Sequence, residues 1–177
     1  MHRALIINKI FQATVAITLI LVLALVMSGC NLNQSQGIEK GDIAPDFQLQ
    51  NLEGQTISLS NLRGNPILIN FWATWCPPCR SEMPHIQDIY EEWSDTELVL
   101  LVINIGENSS KVEDFMQSND LSFPILLDTR QNVAQSYNIT GIPTTFFIDK
   151  DGIIQDKVIG AFSSKAQIEN RLITIIP

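Results

Sequence analysis

Histidine and cysteine are scarce in this chain of 177 residues: the histidines are His2 and His85, and the cysteines are Cys30, Cys76 and Cys79. Three cysteines cannot build a disulfide framework, which in a short chain takes about four or more. They cannot complete an all-cysteine zinc site either, and with two histidines no metal is expected; no cofactor is expected for the chain. Charge is also sparse, at 17% of residues against about 25% in an average soluble domain. Part of the deficit is local, since no charged residue lies between Ile10 and Ile38. Basic residues are the minority, eleven against nineteen acidic, for a net charge of −8. Arg3 and Lys9 belong to a segment with no acid, so the rest of the chain carries −10. A domain this acidic is a poor partner for nucleic acid, whose binding proteins draw affinity from Lys and Arg on phosphates. The length allows one domain plus a leader.

The leader occupies residues 1–29. Arg3 and Lys9 precede an apolar stretch from Ile10 to Met27, interrupted only by Gln12, Thr14 and Thr18. A basic start, an apolar middle and small residues after it describe a secretory signal. An uncleaved membrane-spanning helix is the alternative that length alone leaves open. The stretch ends Met27-Ser28-Gly29-Cys30, which resembles the lipobox of bacterial lipoproteins, although Met27 stands where leucine is usual. That resemblance implies cleavage before Cys30, acylation of its thiol and anchoring in a lipid bilayer, since two or three chains make a stable anchor. Either reading places Lys9 inside and the domain on the extracytoplasmic face of the cell membrane, where disulfides persist. Residues 30–40 are mostly polar without periodicity, and read as a flexible tether.

The domain is expected over residues 41–177. Phe47, Leu49, Ile57 and Leu59 alternate with polar residues around Glu53-Gly54, the pattern of a hairpin. Two near-continuous apolar runs, 66–72 and 97–105, read as strands buried on both faces. Helices are expected over 76–93, 111–118, 132–137 and 164–173. Shorter strands are expected over 125–127, 144–148 and 153–159, the last two joined through Asp151-Gly152. The alternation predicts an α/β domain with a mixed central sheet flanked by helices and an N-terminal β-hairpin extension.

Cys76-Pro77-Pro78-Cys79 falls where a buried strand gives way to a helix. At a helix start, Cys76 faces unpaired N–H groups and the positive end of the helix dipole. Both favour the thiolate, the form that attacks disulfides, so its pKa is expected below the free value of about 8.5. Cys79 lies nearly one turn on, placed to resolve a mixed disulfide. Pro77 and Pro78 suit a first turn, where no intrahelical N–H is needed. The competing readings are weaker. A structural disulfide at this spacing is strained, a zinc half-site lacks two ligands, and haem attachment needs histidine where Arg80 stands.

The segment from Phe71 to Pro84, FWATWCPPCRSEMP, resembles the active site of the thioredoxin superfamily. It is most similar to the membrane-tethered, extracytoplasmic ResA/TlpA-like thiol–disulfide oxidoreductases. Residues 41–47 (GDIAPDF) resemble that branch's opening, shared with the AhpC/TSA redoxins, and 141–149 (GIPTTFFID) its proline loop. The resemblance implies a thioredoxin fold and a redox-active Cys76–Cys79 disulfide, with Pro143 in cis beside it. It also implies a client-binding surface of Trp75, Pro77, Pro78, Ile142 and Pro143, with the client adding as an extended strand. Glu82 matches an acid that tunes the cysteines and assists proton transfer. Thioredoxin itself has a buried acid where this chain has Asn70, and an amide cannot serve as a base. Trp72 reads as packing, and His85 as a helix-surface residue.

By family, the implied reaction is reduction of a protein disulfide, with the Cys-x-x-Cys of apocytochrome c as client. A membrane electron donor of the DsbD or CcdA kind would supply the electrons. Three alternatives remain. A thiol peroxidase needs threonine three residues and proline seven residues before its cysteine, where this chain has Ala73 and Ile69. A copper-chaperone-like module needs a distal histidine, and none follows His85. A disulfide oxidant differs only in reduction potential, which sequence does not fix.

Overall fold

Every side chain from Ile67 to Trp72 is buried, and this strand lies inside the sheet, paired on both edges. The computed structural model describes residues 38–176. The expected leader, Cys30 and most of the tether lie outside the described residues. No helix among the described residues is long and apolar enough to cross a membrane.

The strands are β1 (Gln48–Asn51), β2 (Thr56–Ser58), β3 (Ile67–Trp72), β4 (Val99–Ile105), β5 (Ile125–Asp128), β6 (Thr144–Ile148) and β7 (Ile154–Ile159). The helices are α1 (Pro77–Trp93), α2 (Ser109–Ser118), α3 (Asn132–Ser136) and α4 (Lys165–Leu172). A 3-10 turn over Leu59–Leu62 was not expected from the sequence. The sheet order among the described residues is β2-β1-β5-β4-β3-β6-β7. β3, β4 and β5 are mutually parallel, while β6 and β7 on one side and β1 and β2 on the other run antiparallel to their neighbours. The expected mixed sheet and N-terminal hairpin are both present, with element ends shifted by one or two residues.

Alternation along β3 sorts its side chains between two cores. Leu68 and Trp72 pack with Met83, Ile86 and Ile89 of α1, Val112 and Met116 of α2, and Ile168 and Leu172 of α4. Ile67, Ile69 and Phe71 pack on the opposite face with Phe47, Val133, Tyr137 and Phe146. Fully burying a side chain of this size contributes about 1.5–3 kcal/mol, so the two faces together fix the sheet between its helices. Asn70 shares the α1 face with Leu68 and Trp72 by the same alternation, and it is fully buried there.

The segment before β1 is tied to this body. Lys157 Nζ donates to the Ile38 carbonyl (2.9 Å) and Glu39 (2.8 Å), and the Gly41 N–H donates to the Ile154 carbonyl (2.8 Å). The last residues of the expected tether are therefore held against β7. Tyr137, fully buried, donates its hydroxyl to the Pro45 carbonyl (2.8 Å). Burial and the nearby Asp46 charge push its phenol up from its ordinary value, so it stays a donor. Tyr137→Phe is expected to cost about 1 kcal/mol by removing this bond, read as a lower urea midpoint at unchanged slope. An unchanged midpoint would show that the tie adds nothing to stability.

Candidate active site

β3 and β4 are parallel and in register from Ile67↔Val99 to Trp72↔Asn104, so both end at the same edge of the sheet. Loops leaving the carboxyl ends of parallel strands converge, and such edges are where sites form. After Trp72 the chain turns at once, the Cys76 N–H donating to the Ala73 carbonyl (3.2 Å). Cys76 is extended (φ −88°, ψ 107°) and caps α1, its Sγ accepting the Cys79 N–H at 3.2 Å. Pro77 and Pro78 fill the first helical positions, where no donor is lost. Cys76 and Cys79 are joined as a disulfide.

Exposure divides the expected site residues. Trp75 is 64% exposed, and Pro77 and Pro78 are exposed as well. Cys79 is fully buried, whereas Cys76 keeps 3% of its surface. Cys76 Sγ lies 3.6 Å from the Ile142 carbonyl oxygen, which brings the β6 loop against the disulfide. The Ile142–Pro143 bond is cis. Pro143 is buried and its carbonyl accepts the Gly160 N–H (2.8 Å), so Ile142, not Pro143, forms the open surface beside Cys76. His85 is half-buried on α1.

Glu82 does not lie on the solvated face of its helix. It is fully buried, with Oε1 accepting from Asn70 Nδ2 (2.8 Å) and Oε2 from the Phe162 N–H (3.0 Å). Asn70 Nδ2 also reaches Thr145 Oγ1 (3.0 Å). Burial pushes the Glu82 carboxyl up to about 7, and the bonds from Phe162 and Asn70 offset only part of that. A carboxyl that titrates near neutrality, three residues along the helix from Cys79, is suited to exchanging a proton there. Phe162 and Thr145 could not be found from sequence, because they reach Glu82 and Asn70 across 80 and 75 residues.

A second buried carboxylate was also missed. Glu107, 7% exposed in the loop after β4, takes the Thr74 N–H and hydroxyl on its two oxygens. Its position just past a buried parallel strand was the one signal available. Ala73 and Ile69, at the positions where a thiol peroxidase needs a hydroxyl and a proline, are fully buried apolar residues.

A mixed sheet flanked by helices, with a Cys-x-x-Cys disulfide opening the helix after a buried interior strand, defines a thioredoxin-fold thiol–disulfide oxidoreductase. The chain belongs to the AhpC/TSA family, whose model matches residues 40–157. It is 37% identical to the thiol-disulfide oxidoreductase ResA of Geobacillus thermodenitrificans over 171 residues, 94% of this chain and 98% of that protein. It is 38% identical to the thioredoxin-like protein YneN of Bacillus subtilis over 162 residues, 87% and 94% of the two chains. Among solved structures, StoA of Bacillus subtilis is similar with a TM-score of 0.64 at 33% identity, covering 72% of this chain and 96% of that one. A thiol:disulfide interchange protein of Chlorobium tepidum is similar with a TM-score of 0.68 at 30% identity, covering 77% and 97%.

Proposed function

We propose that this oxidoreductase reduces protein disulfides on the extracytoplasmic face of the cell membrane, held there by acyl chains on Cys30. The observation that carries the chemistry is Cys76 at the helix cap, its sulfur accepting the Cys79 N–H beside the exposed Trp75. In the reduced enzyme the same N–H and the helix dipole stabilise a Cys76 thiolate. That thiolate attacks one sulfur of the client disulfide, and the client's other sulfur leaves as a thiolate. Cys79, losing its proton toward Glu82, attacks Cys76 Sγ and releases the client's second thiol. Two electrons pass to the client and the Cys76–Cys79 disulfide is left. Trp75, Pro77, Pro78 and Ile142 form the contact surface, with Pro143 behind Ile142. A membrane donor of the DsbD or CcdA kind restores the dithiol.

The resemblance to ResA-like proteins favours the Cys-x-x-Cys of apocytochrome c as the client. The test is redox equilibration of the Cys76–Cys79 pair with glutathione, beside reduction of an oxidised Cys-x-x-Cys-His peptide. A reductant is expected to show a potential below about −220 mV and to convert the peptide to its dithiol. A potential near about −120 mV, that of a strong oxidant, would reverse the direction.

Anchoring is tested separately. Cys30→Ala is expected to release the domain from membranes or to leave an unprocessed precursor. Unchanged membrane fractionation and unchanged mature mass would remove the lipoprotein reading.

A further inference from the structure

The turn that presents Trp75 and Cys76 is held from outside its own segment. Glu107 Oε2 accepts the Thr74 N–H at 2.7 Å and the Asn104 Nδ2 at 2.9 Å. Its Oε1 accepts the Thr74 hydroxyl at 2.7 Å and pairs with Lys111 Nζ at 2.6 Å. Four donors thus converge on one carboxylate whose side chain is 4% exposed. Burial works against its charge, yet the bonds from Lys111, Asn104 and Thr74 hold its carboxyl below the ordinary carboxylate value. The strand register makes this meeting possible. Asn104 lies opposite Trp72, so the loop after β4 arrives over the loop after β3. Lys111 comes from the first turn of α2, which Asn108 caps by accepting the Lys111 N–H. Thr74 is the second residue of the Ala73–Cys76 turn, and the residue after it, Trp75, stands out into solvent.

We propose that Glu107 is a positioning residue that clamps the Ala73–Cys76 turn so that Trp75 and Cys76 are presented together to a protein client. The clamp rests on the reading of Cys76 as the thiol that meets the client. It acts through geometry: both hydrogen-bonding groups that Thr74 offers to this side are fixed on one rigid acceptor. Releasing them frees the turn and Trp75 with it, while the Cys76–Cys79 pair keeps its own helix cap. A bulky client that needs both Trp75 and Cys76 in place therefore suffers more than a small disulfide that needs only the thiolate.

Three variants separate this from a charge effect. Glu107→Gln keeps the clamp, because its amide oxygen can accept from Thr74 N–H and Asn104 while its NH2 donates to the Thr74 hydroxyl. Only Lys111 is lost, and it is already 55% exposed. Glu107→Ala removes the clamp entirely. Thr74→Val removes one of its bonds without touching Glu107, and Thr74→Ser restores that bond, which covers the case of Glu107→Ala failing to fold.

The experiment measures reduction of insulin and of a small aromatic disulfide by the reduced enzyme, the reduction potential of the pair, and exchange of the Thr74 amide by NMR. Glu107→Ala is expected to raise KM for insulin on the order of tenfold, the scale of one lost well-placed contact. Its kcat, its rate with the small disulfide and its potential stay near wild type. The Thr74 amide exchanges faster. Thr74→Val follows part of the way, and Glu107→Gln and Thr74→Ser behave like wild type. A wild-type KM in both Glu107→Ala and Thr74→Val would overturn the proposal. So would Glu107→Gln matching Glu107→Ala with a shifted potential, since charge would then be the agent. Wild-type enzyme that reduces neither insulin nor the small disulfide would count against disulfide reduction itself, and unchanged Thr74 exchange in Glu107→Ala would then still reject the clamp.

Discussion

A Cys79→Ala enzyme accumulates client proteins as mixed disulfides on Cys76, and a Cys76→Ala enzyme accumulates none. The expectation follows from the burial of the two sulfur-bearing residues. Cys79 has no exposed surface, whereas Cys76 keeps a sliver of it beside the exposed Trp75. A client disulfide can therefore meet only Cys76. The Cys79 N–H that caps the Cys76 sulfur belongs to the backbone and survives replacement of the Cys79 side chain. Attack by Cys76 persists in Cys79→Ala, while release, which needs the second thiol, is lost. Turnover of a protein disulfide falls to background in both variants, but only one leaves a covalent trace. Non-reducing gels of cell extracts, followed by reduction and mass spectrometry, read that trace. Equal trapping by the two variants would reverse or abolish the assignment of attacking and resolving thiols.

Replacing Glu82 by glutamine stabilises the oxidised protein above neutral pH and slows its reduced form. Glu82 keeps its proton in the fold up to about pH 7 and releases it near its ordinary value of 4.5 in the unfolded chain. Between those pH values the folded state binds more protons than the unfolded one, so stability falls as pH rises from 4.5 through 7. The gap corresponds to on the order of 3 kcal/mol at pH 8. Glu82→Gln removes this dependence. The fold can accommodate it: Asn70 Oδ1 has no partner among the described residues, so a turned Asn70 amide accepts from the glutamine while Thr145 donates its hydroxyl. Urea titrations at pH 5 and pH 8 should show wild type weakening and Glu82→Gln holding level. In the proposed mechanism the same change removes a carboxylate that would oppose thiolate formation and take the Cys79 proton. Thiol titration should then shift to lower pH, and resolution should slow by on the order of 10²-fold, a low-end value for acid–base help. Parallel urea curves, overlapping thiol titrations and equal stopped-flow rates would leave Glu82 with a packing role alone.

The legible parts of this protein are those that short-range rules govern. The near-continuous apolar runs at 66–72 and 97–105 appear as β3 and β4 because a strand covered on both faces has no polar face to show. Asp151-Gly152 gives the β6–β7 hairpin, with Gly152 at φ 82° where a side chain would be strained. Cys76 and Cys79 were found from spacing and from the helix start between them. The 3-10 turn at Leu59–Leu62 was not found, because its anchor is distant in sequence: Asp46 accepts the Ser60 N–H at 2.9 Å across 14 residues.

The sequence by itself determined the reactive pair, its place at a helix cap and the α/β alternation around it, since each depends on neighbours within about one helical turn or one strand. Only the tertiary structure decided what the acids do. Glu82 sits on a helix whose sequence would equally suit a solvated face, and what takes it out of water is Asn70 on β3 and Phe162 before α4. Glu107 has no motif at all, and becomes a fourfold acceptor only because β3 and β4 pair in register. The physical reason is common to both. A carboxylate's proton affinity and its partners are set by desolvation and by donors brought from distant strands, and neither quantity is encoded in the residues beside it.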